Sequence, residues 1–272
     1  MIPYFSWQTI SLGPITLQVW GICVALGALI ALFFCLREIM KASVRVIPAK
    51  AGIQEGVILN PETMWSVFFW LIFGGFIGAR IFHIIFYEPI YYWENPAEIL
   101  KIWHGGASSL GGFAGALAGL WIFLKNKKIK WTDFRPYAEI IGIYFWLGWA
   151  IGRIGCFLIH DHVGRLTNFF LSVNFPYGAR YDLGLMDSIL ALIIFFILLF
   201  TRRVRVIKKV GSPVFGFMLY AFGRFFLDFL RADDVIGADA RYWHLTPAQW
   251  GIVGFFIILT LWRVWGRIKQ QK

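Results

Sequence analysis

The sequence predicts an all-α polytopic membrane protein: seven transmembrane helices, the N-terminus outside and the C-terminus in the cytoplasm. Three observations predict it. The 272 residues are 59% hydrophobic and only 15% charged, with a mean hydropathy of +0.67, whereas soluble domains carry about 25% charged residues. Seven apolar segments approach the roughly 20 residues that cross a bilayer. Lysine and arginine alternate in abundance from one connecting segment to the next. The same composition excludes a disordered or collagen-like chain.

Span 1, about 15–36, follows an N-terminal stretch without a charged residue from Met1 through Leu36. A secretory signal needs a basic n-region and a small-residue cleavage site, so this segment is expected to be retained. Residues 38–63 contain Pro48, Gly52, Gly56, Asn60 and Pro61 and read as a loop. Spans 2, 3 and 4 occupy about 64–87, 107–124 and 137–159. Span 5, about 186–201, is short. Span 6, about 214–230, is interrupted by Arg224, and span 7 covers about 247–266. No internal repeat is evident, and residues 1–272 read as a single integral membrane domain.

Orientation follows from the cations. The connections after spans 1, 3 and 5 and the C-terminal tail hold 4, 5, 5 and 4 Lys or Arg, or 18 together. The other side holds five: Lys101, Arg165, Arg180, Arg231 and Arg241. The positive-inside rule places the rich side in the cytoplasm. This asymmetry also accounts for the net charge of +11 through the anionic inner leaflet, without nucleic acid.

Three arginines remain inside spans: Arg80, Arg153 and Arg224. Buried ionisable groups in a membrane are costly and mark function. Arg80 lies eight residues before Glu88, Arg153 seven before His160, and Arg224 seven before Arg231. At 1.5 Å per residue, each cation starts roughly 10–12 Å below the outer interface. Snorkelling or pairing is the alternative, and Arg224 has Asp228 at i+4. Three cations at one depth point to a polar pocket for a lipid phosphate, whose oxygens match arginine forks.

Span 3 opens on His104-Gly105-Gly106-Ala107-Ser108-Ser109-Leu110-Gly111-Gly112. Glycines allow close backbone approach, and a helix N-terminus offers free N–H groups to an anion; ordinary helix packing uses the same residues. Span 4 ends in His160-Asp161-His162, just beyond Arg153. Histidine takes protons near neutral pH. A solvated loop is one alternative. A metal site is another, disfavoured by i,i+2 ligands without a second cluster. Cys23, Cys35 and Cys156 form no CxxC pair and imply neither disulfide nor zinc.

These residues resemble the prolipoprotein diacylglyceryl transferase family, from about Trp20 to Gln249. The opening of span 3 resembles GG-x-S-x-H-GG. Gly152-Arg153-Ile154-Gly155, Phe157, Asp161 and Gly164 resemble G-R-x-G-N-F-x-N-x-E-x-x-G. Arg224-Phe225-Phe226-Leu227-Asp228-Phe229-Leu230-Arg231 resembles R-F-x-x-E-F-x-R. Arg180-Tyr181 with Leu185-Met186-Asp187, Glu139 and Gln249 also fall at family positions.

The resemblance implies an enzyme of the bacterial plasma membrane with its active site toward the outer leaflet. It would move the diacylglyceryl group of phosphatidylglycerol to the lipobox cysteine of a preprolipoprotein signal peptide. Its partners would be that lipid, that peptide and membrane lipids, with no nucleic acid, metal or cofactor. Arg153 and Arg224 match the family's two important arginines. Arg80, Gly105, Gly106, Gly111, Gly112 and Asp228 are expected to join Arg153 and Arg224 in holding phosphatidylglycerol. The chain departs from the family at Leu110, where a catalytic histidine is expected. It departs again at Cys156 and Ile159 for two asparagines, at Asp161 and Asp228 for two glutamates, and at Trp20 for a tyrosine. His160, His162 or His104, with Asp161, is expected to supply the missing base. The alternatives are a related transferase with another lipid or acceptor and a non-catalytic binder of anionic lipid. A transporter ranks last, because the charges gather toward one face.

Overall fold

The computed structural model describes residues 1–13, 15–46, 61–101, 106–202, 204, 210–235 and 241–270. Its elements in chain order are β1 (Ile2–Pro3), β2 (Thr9–Leu12), β3 (Ile15–Gln18), α1 (Val19–Val46), α2 (Pro61–Phe86), α3 (Pro89–Glu94) and a 3₁₀ turn (Pro96–Ile99). Next come α4 (Ser109–Asn126), α5 (Trp131–Ile159), β4 (Val163–Leu166), β5 (Val173–Phe175), β6 (Gly178–Asp182) and α6 (Leu183–Thr201). The chain ends with α7 (Ser212–Leu227), a 3₁₀ turn (Asp228–Leu230) and α8 (Pro247–Gln270).

Each of the seven predicted spans coincides with a helix: α1, α2 and α4 to α8. Among the described residues, five helical segments are long and apolar enough to cross a membrane: Val19–Lys41, Pro61–Phe86, Trp131–Ile159, Leu183–Thr201 and Ser212–Leu230. The chain is predominantly helical, and to the all-α expectation the described residues add six short strands. The connection between predicted spans 4 and 5 contains β4, β5 and β6. The first span begins at Val19 rather than 15, because Ile15–Gln18 pairs in antiparallel register with Thr9–Leu12. The helix then runs to Val46, through residues expected as loop, since no breaker occurs before Pro48.

The described chain divides into two compact units. One comprises Met1–Phe34 with Ala138–Lys272, the other Cys35–Tyr137.

In the first unit, helices meet through glycine. A Cβ on Gly27 of α1 would lie 2.3 Å from the Gly148 carbonyl of α5, and one on Gly216 of α7 would lie 2.3 Å from the Trp146 indole nitrogen. Side chains cannot fit there: at Gly27 two backbones approach closely, and at Gly216 the backbone meets the Trp146 ring, as small residues permit between membrane helices. A four-stranded sheet in the order β1-β5-β6-β4 joins these helices. β5 and β6 form a hairpin with Phe175 opposite Gly178, and β6 leads directly into α6. Asp182 caps that helix, its carboxylate accepting from the Leu185 N–H at 3.1 Å.

In the second unit, α2 and α4 pack glycine on glycine. A Cβ on Gly115 would stand 2.2 Å from the Gly74 carbonyl, and one on Gly111 would stand 2.2 Å from Phe82 Cβ. Ser108 caps α4. The glycine-rich opening of span 3 is thus a packing seam at Gly111, whereas at Gly112 an added Cβ would meet its nearest neighbour at an ordinary 3.7 Å.

Candidate functional site

The last two turns of α5 place Arg153 and Cys156 on one face. Beyond Ile159 the chain leaves the helix through His160, whose φ of 54° lies in the left-handed region that histidine enters more readily than most residues. This turn carries His162 back over Arg153. The Arg153 Nη1 lies 3.2 Å from His162 Nε2 and donates to Cys156 Sγ at 3.4 Å. Its guanidinium carbon stands 5.6 Å from the centre of the Trp149 ring.

The other edge of the Arg153 guanidinium, Nε and Nη2, holds the carboxylate of Asp187 in the first turns of α6. Asp187 is fully buried. Its Oδ2 also accepts from the Tyr220 hydroxyl of α7 at 3.1 Å and lies 3.8 Å from Arg224 Nη1. The other fork of Arg224 reaches Asp228 Oδ1 at 3.1 Å, and Arg231 Nε stands 3.5 Å from the same oxygen. Asp228 is buried too, and the Thr246 hydroxyl donates to its second oxygen. Thr246 and Gln249 form a reciprocal capping box at the start of α8: the Thr246 N–H donates to Gln249 Oε1 at 2.9 Å and the Gln249 N–H to Thr246 Oγ1 at 3.2 Å.

Arg153, Arg224 and Arg231 therefore share two fully buried carboxylates. Arg224 Nη1 makes no hydrogen bond among the described residues, only the longer ionic contact with Asp187. A buried cationic donor in this state is costly alone and well suited to an anion.

The electrostatics act on the neighbouring loop. Burial, followed by the positive charges of Arg153, Arg231 and Arg224, pushes His162 down to about 3. Burial raises Asp161 above the usual carboxylate range, with Arg153 opposing. The donor atoms of Cys156, Asp161 and His162 lie within 4.8 Å of one another, a set of the types divalent ions take. The Arg153 guanidinium contacts two of the three, so a cation already stands against them.

The remaining expected residues have different surroundings. His160 is buried, with Nδ1 2.7 Å from Asp182 Oδ2 and its ring packed among Tyr4, Phe5, Phe157 and Phe175. It ties the end of α5 to the sheet. Arg80 belongs to the other unit. Its Nε donates to the Ile99 carbonyl at 3.1 Å, Nη1 to Gly106 at 2.9 Å and Nη2 to Glu98 at 2.6 Å, and it lies 5.0 Å from the Tyr92 ring centre. Its fork clamps the main chain after α3. Gly106, in the left-handed region at φ +78°, presents one of those carbonyls. His104 and Gly105 lie outside the described residues.

Residues 8–265 match the family described as prolipoprotein diacylglyceryl transferase. The chain belongs to that family. It is 32% identical to the phosphatidylglycerol–prolipoprotein diacylglyceryl transferase of Staphylococcus aureus (strain Newman), over 86% of this chain and 80% of the relative. It is 29% identical to the enzyme of that name from Staphylococcus epidermidis (strain ATCC 12228 / FDA PCI 1200), over 98% and 91%.

Within this prolipoprotein diacylglyceryl transferase family member, sequence reasoning placed Arg153, Arg224, Asp161, His162 and Asp228 in the site, and all five lie in the cluster described. It omitted Asp187, Tyr220, Cys156 and Arg231 from the candidates. Asp187 carried a usable signal, a lone carboxylate at the start of an otherwise apolar helix. Tyr220 carried none, since interfacial tyrosines are common in membrane proteins. Glu139 has a structural role: its carboxylate accepts from the Ser212 N–H at the start of α7.

Proposed function

We propose that this chain transfers the diacylglyceryl group of phosphatidylglycerol to the lipobox cysteine thiol of preprolipoproteins, at the outer leaflet of the bacterial plasma membrane. In this reading all seven helices cross the bilayer, with the N-terminus outside. The observation that carries it is the meeting of Arg153 and Arg224, from separate helices, on one buried carboxylate.

The chemistry follows from that arrangement. The acceptor sulfur attacks the glyceryl carbon bearing the phosphate. A C–S bond forms, the C–O bond to phosphate breaks, and glycerol 1-phosphate leaves. Negative charge grows on the departing phosphate, where Arg153 and Arg224 stabilise it in a water-poor site. Asp187, Asp228 and Tyr220 hold the two forks in place. The thiol proton passes to the Asp161–His162 pair. Three guanidiniums weaken His162 as a base; an arriving phosphodiester offsets their charge and raises its proton affinity, so lipid binding prepares the base. His104 remains a candidate base. His160 acts through Asp182 as a support of the turn.

A second reading, a non-catalytic binder of anionic lipid, is favoured by Leu110, an apolar and exposed side chain at the position where histidine is expected. A related transferase using another lipid or acceptor draws on the same feature. Purified protein, phosphatidylglycerol with labelled acyl chains and a lipobox peptide separate these readings. The expected result is a peptide mass increase of one diacylglyceryl group. Bound phosphatidylglycerol without product would favour the binder, and neither binding nor product would overturn the proposal.

A further inference from the structure

The β2–β3 hairpin alternates in chemistry along its ladder. Its register pairs Ile10 with Leu17 and Leu12 with Ile15, and interleaves these with Thr9 opposite Gln18 and Ser11 opposite Thr16. Successive pairs belong to opposite faces of a ladder, so this register sorts apolar pairs to one face and polar pairs to the other. Gly13, in the left-handed region at φ +62°, turns the chain between the strands. Among the described residues nothing buries either face. Thr9, Ile10, Ser11, Thr16, Leu17 and Gln18 are all exposed, Ile10 at 47% and Leu17 at 39%. A lone two-stranded hairpin is marginal in water and is stabilised by covering an apolar face.

What covers this face follows from where the hairpin is fixed. Its base is tied to the ends of two segments long and apolar enough to cross a membrane, Val19–Lys41 and Trp131–Ile159. β3 runs into α1 without a linker, and the Val19 N–H donates to the Gln8 carbonyl at 3.1 Å. The Trp7 N–H donates to the Leu158 carbonyl, in the last turn of α5, at 3.0 Å. The first of these segments has 23 residues, about 35 Å at 1.5 Å per residue, against roughly 30 Å of hydrocarbon. The hairpin therefore starts at the boundary between hydrocarbon and water. Trp7 and Trp20, 64% and 40% exposed, flank it, and indoles collect at that level. Standing upright in water it would leave Ile10 and Leu17 wet; lying flat it buries them.

We infer that the β2–β3 hairpin is an interfacial anchor, its apolar face resting on the bilayer at the level of the lipid glycerol backbones. The partner is the lipid surface itself, without choice of headgroup, because no charged residue occurs from Met1 through Leu36. The inference rests on α1 and α5 as spans and is independent of the transferase reading. A second copy is a poorer occupant: a face two strands wide and four residues long offers roughly 140 Å², against about 800 Å² per partner in a stable interface. An extended peptide is poorer too, since it would pair with a strand edge and leave the apolar face as it is.

The test reads the two faces separately and needs no turnover. An environment-sensitive fluorescent amino acid replaces Ile10, Leu17, Ser11 or Thr16, one at a time, in the full chain reconstituted into phosphatidylcholine vesicles. The quenchers are lipid with a nitroxide near the headgroup, lipid with a nitroxide at the acyl end, and iodide in the water. At positions 10 and 17 the shallow nitroxide should quench about threefold or more better than iodide, and at 11 and 16 the order should reverse. Equal iodide access at all four positions, strongest quenching by the deep nitroxide, or shielding that appears only with an added lipobox peptide or at high protein-to-lipid ratio would overturn the inference. A second measurement leaves the hairpin sequence untouched. Lipids with a photoreactive group beside the glycerol backbone should label residues 9–18 of wild type, phosphatidylglycerol and phosphatidylcholine within about twofold of each other. No label in that segment, or label from one headgroup alone, would overturn the anchor.

Discussion

Arg153 of α5 and Arg224 of α7 converge on the same oxygen of Asp187. The carboxylate spaces the two forks and is buried with them. Asp187→Asn leaves two guanidiniums without their common counter-charge, and breaking such a buried pair costs roughly 3–5 kcal/mol. Transfer activity should fall about 100-fold or more, with KM for phosphatidylglycerol raised. Thermal unfolding in detergent and steady-state kinetics check the two halves. Unchanged KM and stability would show that Asp187 does not organise the pair.

His162 provides a pH signature. Its folded value, about 3, lies below the ordinary histidine value of about 6.5. Between these values the unfolded chain binds the extra proton and the folded one does not. Stability is therefore complete above about pH 6.5 and is lost as pH falls toward 3, by up to about 1.4 kcal/mol per pH unit. His162→Gln should flatten this part of the unfolding profile relative to wild type. Parallel profiles between pH 6.5 and 4 would contradict the assigned burial and charge.

Arg80 should separate from Arg153 and Arg224 in its phenotype. Its fork binds the carbonyls of Glu98, Ile99 and Gly106, and hydrogen bonds to a charged group contribute about 1.5–3 kcal/mol each. Arg80→Lys keeps the charge and loses the fork. Hydrogen exchange across residues 96–101 should quicken about tenfold or more. Unaltered exchange with a large loss of lipid affinity would restore Arg80 to the phosphate site.

The α2–α4 seam discriminates between two glycines three residues apart. An added Cβ at Gly115 would meet backbone at 2.2 Å, whereas at Gly112 the nearest atom is 3.7 Å away. Gly115→Ala should destabilise the protein by roughly 1–3 kcal/mol, while Gly112→Ala should be within about 0.5 kcal/mol of wild type. Chemical-denaturation midpoints in mild detergent would show the contrast or its absence.

The helices were legible because apolar length is a strong local signal, but their ends were not. Ile15–Gln18 reads as equally apolar in a strand or a helix, and its alternation with Thr9–Leu12 becomes decisive only through pairing. Arginines inside apolar runs revealed most of the cluster. Asp187 bears a similar signal, a lone carboxylate at the edge of span 5, but the sequence marks it only through its family position. Sequence could not tell His160 from His162: the left-handed turn at His160 sends one imidazole into an aromatic cage and the other onto Arg153. Nor could it foresee Arg80's partners, which are main-chain carbonyls and carry no side-chain signature.

Asp182 fixes more than the start of a helix. Its two oxygens separately engage the Leu185 N–H and the His160 imidazole, while its backbone belongs to β6. A helix held only by greasy contacts could spin about its long axis, sweeping Asp187 past its partners. Pinned at its first turn to strand and imidazole alike, α6 behaves as a keyed shaft. The azimuth of Asp187, and with it the spacing of the two arginines, is set by hydrogen bonds made before the apolar run of α6 begins.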